Sequence, residues 1–168
     1  MKLFVTREYF SDAEKRIREL NVTLDKIRAE KTAAYTQDTN SWHDNFAYEH
    51  LTREEKQTER HLADLIIEFH NMQIAPLSAN LNPDCVGLYC TVTVSQENQD
   101  LGAITQNTFS IVPLGGEDIS NKIYAYNMPI VLPLMGLSVG GQANVVMPSG
   151  ELEITVLSIK PFNPRGDK

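Results

Sequence analysis

No glycine and no proline occur from Met1 to Ile74. These are the residues that interrupt helices most strongly, so nothing in that span breaks a helix by backbone chemistry. No apolar run approaches the ~18 residues that a membrane span requires. The start, MKLFVTREYF, carries one Lys and too short an apolar stretch for a signal-peptide core, so the cytoplasm is the expected compartment. Cysteine is scarce: Cys85 and Cys90 match no zinc spacing and make no disulfide framework. On one strand these two would point to opposite faces, and both read as packing residues. A basic surplus is also missing. The net charge of −7 disfavours free DNA binding, which needs a cationic face for phosphates. Residues 1–37 nevertheless hold eight basic against six acidic residues, and the remainder is acidic.

Apolar content of 42% and charged content of 22% are ordinary for a globular protein and speak against wholesale disorder. From Ser11, the expected N-cap with Glu14 completing a capping box, apolar residues fall at Ile17, Leu20, Leu24 and Ile27. A second run, from Tyr48 and Leu51 to Phe69 and Met72, alternates three and four with only Glu55 and Thr58 polar. Such seams imply helices packed as a coiled coil. Two seams separated by a polar stretch fold most simply into an antiparallel hairpin. Pairing Leu20 with Leu65 and Ile27 with Thr58 centres the turn near residue 42, the position of the only tryptophan. Each arm then extends roughly 43 Å at ~1.5 Å per residue.

After Pro76 the pattern changes. Residues 77–84 read as a linker between a hairpin at 1–76 and a β domain at 85–168. Alternation from Val86 to Val94 predicts a strand, Asn98 to Gly102 a turn, and Phe109–Val112 and Ile123–Tyr126 further strands. Ile130–Leu137, with Pro133, predicts one short helix ended by Gly140-Gly141, and residues 143–159 predict a closing hairpin. The fold class is therefore α+β: a coiled-coil hairpin followed by a small, mainly antiparallel sheet.

No nucleophile elbow, phosphate loop or Rossmann glycine pattern is present. Gly115-Gly116 is followed by Glu117 and Asp118, the wrong charge for a phosphate cradle. His50, His61 and His70 lie on the second helix without zinc-site spacing and read as exposed or seam-edge residues. The turn is different. Trp42 at a solvent-facing apex either staples the turn or meets a partner. Asp44 reads either as the N-cap of the second helix or as a carboxylate presented at the end of the rod.

In order and spacing, nearly the whole chain resembles the bacterial Gre transcript-cleavage factors. Asp44-Asn45-Phe46-Ala47-Tyr48 stands where that family has Glu-Asn-x-x-Tyr, and Leu51–Gln57 (LTREEKQ) continues like its second helix. Phe109-Ser110-Ile111-Val112, Glu117-Asp118, Met128-Pro129, Leu134-Met135-Gly136, Gly140 and Pro148-x-Gly150 follow like landmarks of its FKBP-like β domain. The resemblance implies a monomer that docks this domain on the rim of RNA polymerase's secondary channel, through Asn127, Met128 and Pro129 just before the short helix. It implies a hairpin inserted toward the active centre. There, two tip acids help hold a second Mg²⁺, shared with the polymerase, and position the water that hydrolyses backtracked RNA.

The tip departs from that pattern. Ser41 stands where the family has an Asp, the Glu is the shorter Asp44, His43 replaces a basic residue, and Trp42 occupies the apex. Mg²⁺ demands near-octahedral oxygen ligation, which a short unpaired acid serves poorly. The expected function is thus a polymerase-binding regulator with weak or absent cleavage, no stably bound cofactor and no chemistry of its own. Trp42 and His43 would meet the active centre or the RNA 3′ end, and Asp44 the metal. An active cleavage factor using Asp44 with Asp38 is the alternative. A prolyl isomerase or other binding module unrelated to transcription is the third, although Tyr89, Phe109, Tyr124, Tyr126 and Phe162 show no obvious pocket order.

Overall fold

The computed structural model describes residues 2–37, 45–76, 83–98, 102–147 and 150–162. The chain divides into two compact units, Met1–Leu3 with Arg7–Gln73 and Phe4–Thr6 with Ile74–Lys168. Two short strands, β1 (Leu3–Val5) and β2 (Met72–Ile74), pair with each other.

The first unit is built on α1 (Arg7–Gln37) and α2 (Phe46–Asn71). α1 starts at Arg7, so Ser11 lies exposed inside the helix and caps nothing. The cause is packing. Phe10 and Ala13 continue the three–four spacing of the seam toward the N-terminus, Ala13 is buried, and the Phe10 ring lies 4.6 Å from that of Phe69. Leu24 and Ile27 are the buried centre of α1, while the expected seam of α2 forms its half-buried stripe. The helices run antiparallel. Phe10 meets Phe69, Arg28 meets Glu55 and Glu59, and Tyr35 meets Tyr48, close to the pairing that the seams predict.

The second unit holds a five-stranded sheet of β3 (Cys90–Asn98), β4 (Ala103–Val112), β5 (Ile123–Ala125), β6 (Gln142–Met147) and β7 (Gly150–Pro161), in the order β5-β4-β3-β7-β6. β3 pairs antiparallel with β4 and β7, and β6 with β7, but β5 runs parallel to β4, so the sheet is mixed. The strand expected from Val86 begins only at Cys90. Tyr89 adopts φ 59°, a left-handed conformation that turns the chain, and its amide donates to Ile111 O at 2.8 Å. Cys85 therefore lies in the preceding loop, exposed and not packed, while Cys90 is buried and donates to Gly87 O at 2.9 Å. Burial pushes the Cys90 thiol above its ordinary pKa. Along β3, Cys90, Val92, Val94 and Gln96 face the core in strict alternation. Gln96 is satisfied by Asn107 Nδ2 at 2.6 Å. Thr93 pairs with Ser158 and Val94 with Val156, so Leu157 is an extra residue that bulges β7. The short helix expected over Ile130–Leu137 contracts to a 3₁₀ turn at Leu132–Leu134, and a second turn occupies Ile119–Asn121.

Phe4–Thr6 packs as part of this second unit. Val5 is fully buried, Thr6 N donates to Leu114 O (2.9 Å), Leu114 N donates to Phe4 O (3.1 Å), and Ala75 N donates to Val5 O (3.0 Å).

Candidate functional site

Of the expected tip residues, Ser41, Trp42, His43 and Asp44 lie outside the described residues, as does Asp38. Asn45 and Tyr48 lie within them. The N-cap of α2 is Asn45, not Asp44: the Asn45 side chain accepts from Tyr48 N at 2.9 Å. The same side chain turns its other end across the hairpin, and Nδ2 donates to Ala34 O at 3.0 Å. One amide thus supplies both the acceptor that a helix N-terminus lacks and a donor to a backbone carbonyl of α1. Aspartate has no such donor, which is why Asn suits this position.

Behind the cap, the Tyr48 ring packs against that of Tyr35 with centroids 5.9 Å apart, and Lys31 Nζ stands 6.0 Å from the Tyr48 centroid. Lys31 also pairs with Glu55, whose other oxygen accepts from Arg28 Nε at 3.0 Å; Arg28 Nη2 reaches Glu59 at 2.8 Å. Hydrogen bonds from Lys31 first, and then Arg28, hold the Glu55 carboxyl below its ordinary pKa. The bond to Glu55 is likewise the main cause that raises Lys31. Glu55 and Lys31 sit at seam positions with side chains 13% and 24% exposed, making an ionic layer inside a stripe that is otherwise apolar except for Thr58. The sequence displayed Glu55 as a break in the seam, but its partners became visible only once α1 was laid beside α2.

Two shallow surface hollows occur on this unit, lined by Lys15, Arg18 and Val22 on α1 and by Tyr48, Thr52 and Arg53 on α2. His50 Nδ1 lies 3.8 Å from Glu54, and no metal-competent cluster of three His, Cys, Asp or Glu forms among the described residues.

In the second unit, Asn127, Met128 and Pro129 form the turn between β5 and the 3₁₀ turn at Leu132–Leu134. Met128 N donates to Ala125 O (3.1 Å), and Met128 O accepts from both Val131 N (2.9 Å) and Leu132 N (2.8 Å). Asn127 and Met128 are half-buried, whereas Pro129 is exposed at the crest. Tyr126 anchors the base: buried itself, it accepts from Phe4 N at its phenol oxygen (2.9 Å), and its ring stands 6.0 Å from that of Phe4. Nearby on the same unit, Asp118 caps the Ile119–Asn121 turn, and bonds from Ser120 and then Asn121 hold its carboxyl below the ordinary range. The expected pair Glu117-Asp118 is therefore a turn-former, with Glu117 accepting from Gly115 N at 2.7 Å.

The class that these features define is a helical hairpin joined to a curled mixed sheet, α+β. Residues 81–161 match the family described as transcription elongation factor, GreA/GreB, C-terminal domain. Through residues 81–161 the chain is similar to the Gre-type transcription elongation factor family. No curated protein matches the chain by sequence. Among solved structures, the chain is similar to GreA factor homolog 1 of Thermus thermophilus, with 15% identity, 95% of this chain and 99% of that chain covered, and a TM-score of 0.40. The Thermus aquaticus homolog gives 17%, 95%, 98% and 0.38, and a GreA/GreB factor from Nitrosomonas europaea gives 17%, 95%, 98% and 0.39. These likenesses are distant, and the similarity to the family rests on the C-terminal match. No described helix is long and apolar enough to cross a membrane.

Proposed function

We propose that this protein binds RNA polymerase through the secondary channel, docking with the turn at Asn127–Pro129 and presenting the hairpin end to the active centre, where it modulates elongation without efficient transcript cleavage. The observation that carries this reading is the GreA/GreB C-terminal domain at residues 81–161 in one chain with a helical hairpin whose second helix opens on Asn45-x-x-Tyr48. The tip chemistry supports the non-cleaving part. Ser41 offers no charge, so this chain contributes at most Asp44 to a Mg²⁺ that would need its other oxygens from the polymerase. Bound there, the metal would lower the pKa of a water for hydrolysis. Trp42 and His43 would face the active-site elements or the RNA 3′ end.

Purified polymerase stalled on backtracked RNA tests this. The expected result is altered elongation or pausing with no rapid Mg²⁺-dependent shortening of the transcript. Rapid shortening that Asp44→Ala abolishes would overturn the non-cleaving reading and establish a cleavage factor. One observation favours that second reading: Asn45 caps α2, so Asp44 is not needed as the cap. Absence of polymerase binding at physiological salt would refute both.

A further inference from the structure

We propose that Lys31 and Glu55, with Arg28 and Glu59 completing the ladder, are positioning residues that fix the register of α1 against α2 at the turn end of the hairpin. Both seams are unbroken runs of three–four spacing, and such runs are nearly indifferent to a slip of one heptad. Ile27, which the seam spacing pairs with Thr58, would meet Leu51 or Leu65 after a slip and lose little apolar contact. The ionic layer is not indifferent. Sliding one way sets Lys31 against Tyr48 and Glu55 against Leu24; sliding the other way sets Lys31 against Leu62. Either slip leaves a seam charge without a counter-charge opposite it, whereas the observed register gives Glu55 two cations, Lys31 and Arg28 Nε at 3.0 Å. A polar residue at a seam position is the best-attested device for setting coiled-coil register, at some cost in stability. Near the opposite end, the Phe10–Phe69 ring pair, at 4.6 Å, is apolar. The ionic layer is a specific mark nearly three turns from the Asn45 cap, acting together with the Asn45–Ala34 bond at the turn and the pairing of the flanking strands β1 and β2.

The inference needs no polymerase for its primary test, but its functional consequence rests on the reading proposed above. Spin labels on Thr32→Cys and Lys56→Cys, both exposed positions, in a Cys85→Ser background report the helix-to-helix distance by pulsed dipolar spectroscopy. The unaltered layer should give one narrow population. Lys31→Leu with Glu55→Leu should give a second population displaced by roughly 10 Å along the helix, the rise of one heptad, with helical content and melting temperature maintained or increased. A single unshifted population in the double variant would overturn the proposal. Loss of its helical signal would also overturn it, because an apolar layer should hold the helices together at least as well. Lys31→Arg should retain the single population; a split there would count against the pairing. In elongation assays at saturating factor, the double variant should lose most of its effect while its half-saturating concentration stays within about twofold, because the C-terminal unit is untouched. If the unaltered protein has no effect on polymerase, the function proposed above fails while the register result stands.

Discussion

Asn45 shows how much a single side chain can carry at the candidate site. Its oxygen satisfies Tyr48 N, and its nitrogen ties α2 to Ala34 O on α1. Asn45→Ala removes both and should lower the stability of the hairpin by about 1–2 kcal/mol, the range for loss of an N-cap, read as an earlier loss of helical circular dichroism on heating. Asn45→Asp separates the roles: it retains the cap acceptor, loses only the donor to α1, and should recover more than half of the loss. An equal loss in the two variants would mean that the bond across the hairpin, not the cap, is what matters. In the second unit, Tyr126 Oη is the acceptor for Phe4 N. Tyr126→Phe keeps the ring and deletes that acceptor, so leaving a backbone donor unpaired should cost about 1–3 kcal/mol. Faster hydrogen exchange at the Phe4 amide would report it directly, and an unchanged rate would show that water or another group takes over.

Between elements, the ionic layer makes hairpin stability depend on pH with a defined sign. The Glu55 carboxyl is held below its ordinary pKa by Lys31 and Arg28, so its contribution is complete above the unfolded value of about 4.3 and is lost as pH falls through the lower folded value. Thermal unfolding of the helices should be nearly flat from neutral pH to about pH 5 and decline below it, and Glu55→Gln should start lower at neutral pH with a shallower acid decline. An identical acid profile in the two proteins would place the titration elsewhere. The same helices show what could be read in advance. Spacing alone placed both seams and their pairing, because a three–four repeat is a property of adjacent residues. α1 starts five residues earlier than the capping signal at Ser11-x-x-Glu14 predicts, because Phe10 and Ala13 continue the stripe and its packing outweighs a local cap. The parallel run of β5 beside β4 was not legible: it depends on how residues 113–122 return the chain, and that depends on bonds such as Asp118 N to Ile123 O at 2.9 Å. At the site, the composition of the tip was legible, but the double role of Asn45 and the anchoring of the Asn127–Pro129 turn by Phe4 were not, since both join residues far apart in sequence.

At the scale of the whole chain, the two units are not consecutive segments. The hairpin lies between Thr6 and Ile74, while Phe4–Thr6, which precedes it, belongs to the C-terminal unit. A division of the sequence near residue 76 therefore leaves part of the β unit on the wrong side. Val5 is fully buried, and the backbone of Phe4–Thr6 bonds to Leu114 and Ala75. With three backbone hydrogen bonds at about 1 kcal/mol each and one buried Val side chain at about 1.5–2 kcal/mol, losing the segment costs the C-terminal unit on the order of 5 kcal/mol. That is a large share of the stability of a domain of this size. A chain lacking residues 1–6 should therefore keep the helical signal of the hairpin and show a separate, earlier unfolding of the sheet. Val5→Asp should reproduce this in the full-length chain by placing a charge at a fully buried position. If the function proposed above holds, either change should also weaken polymerase binding more than it disturbs the hairpin, because Phe4 supports Tyr126, which adjoins Asn127. A sheet that melts unchanged in both variants would show that the N-terminal strand is an accessory to the unit and that residues 74–168 fold without it.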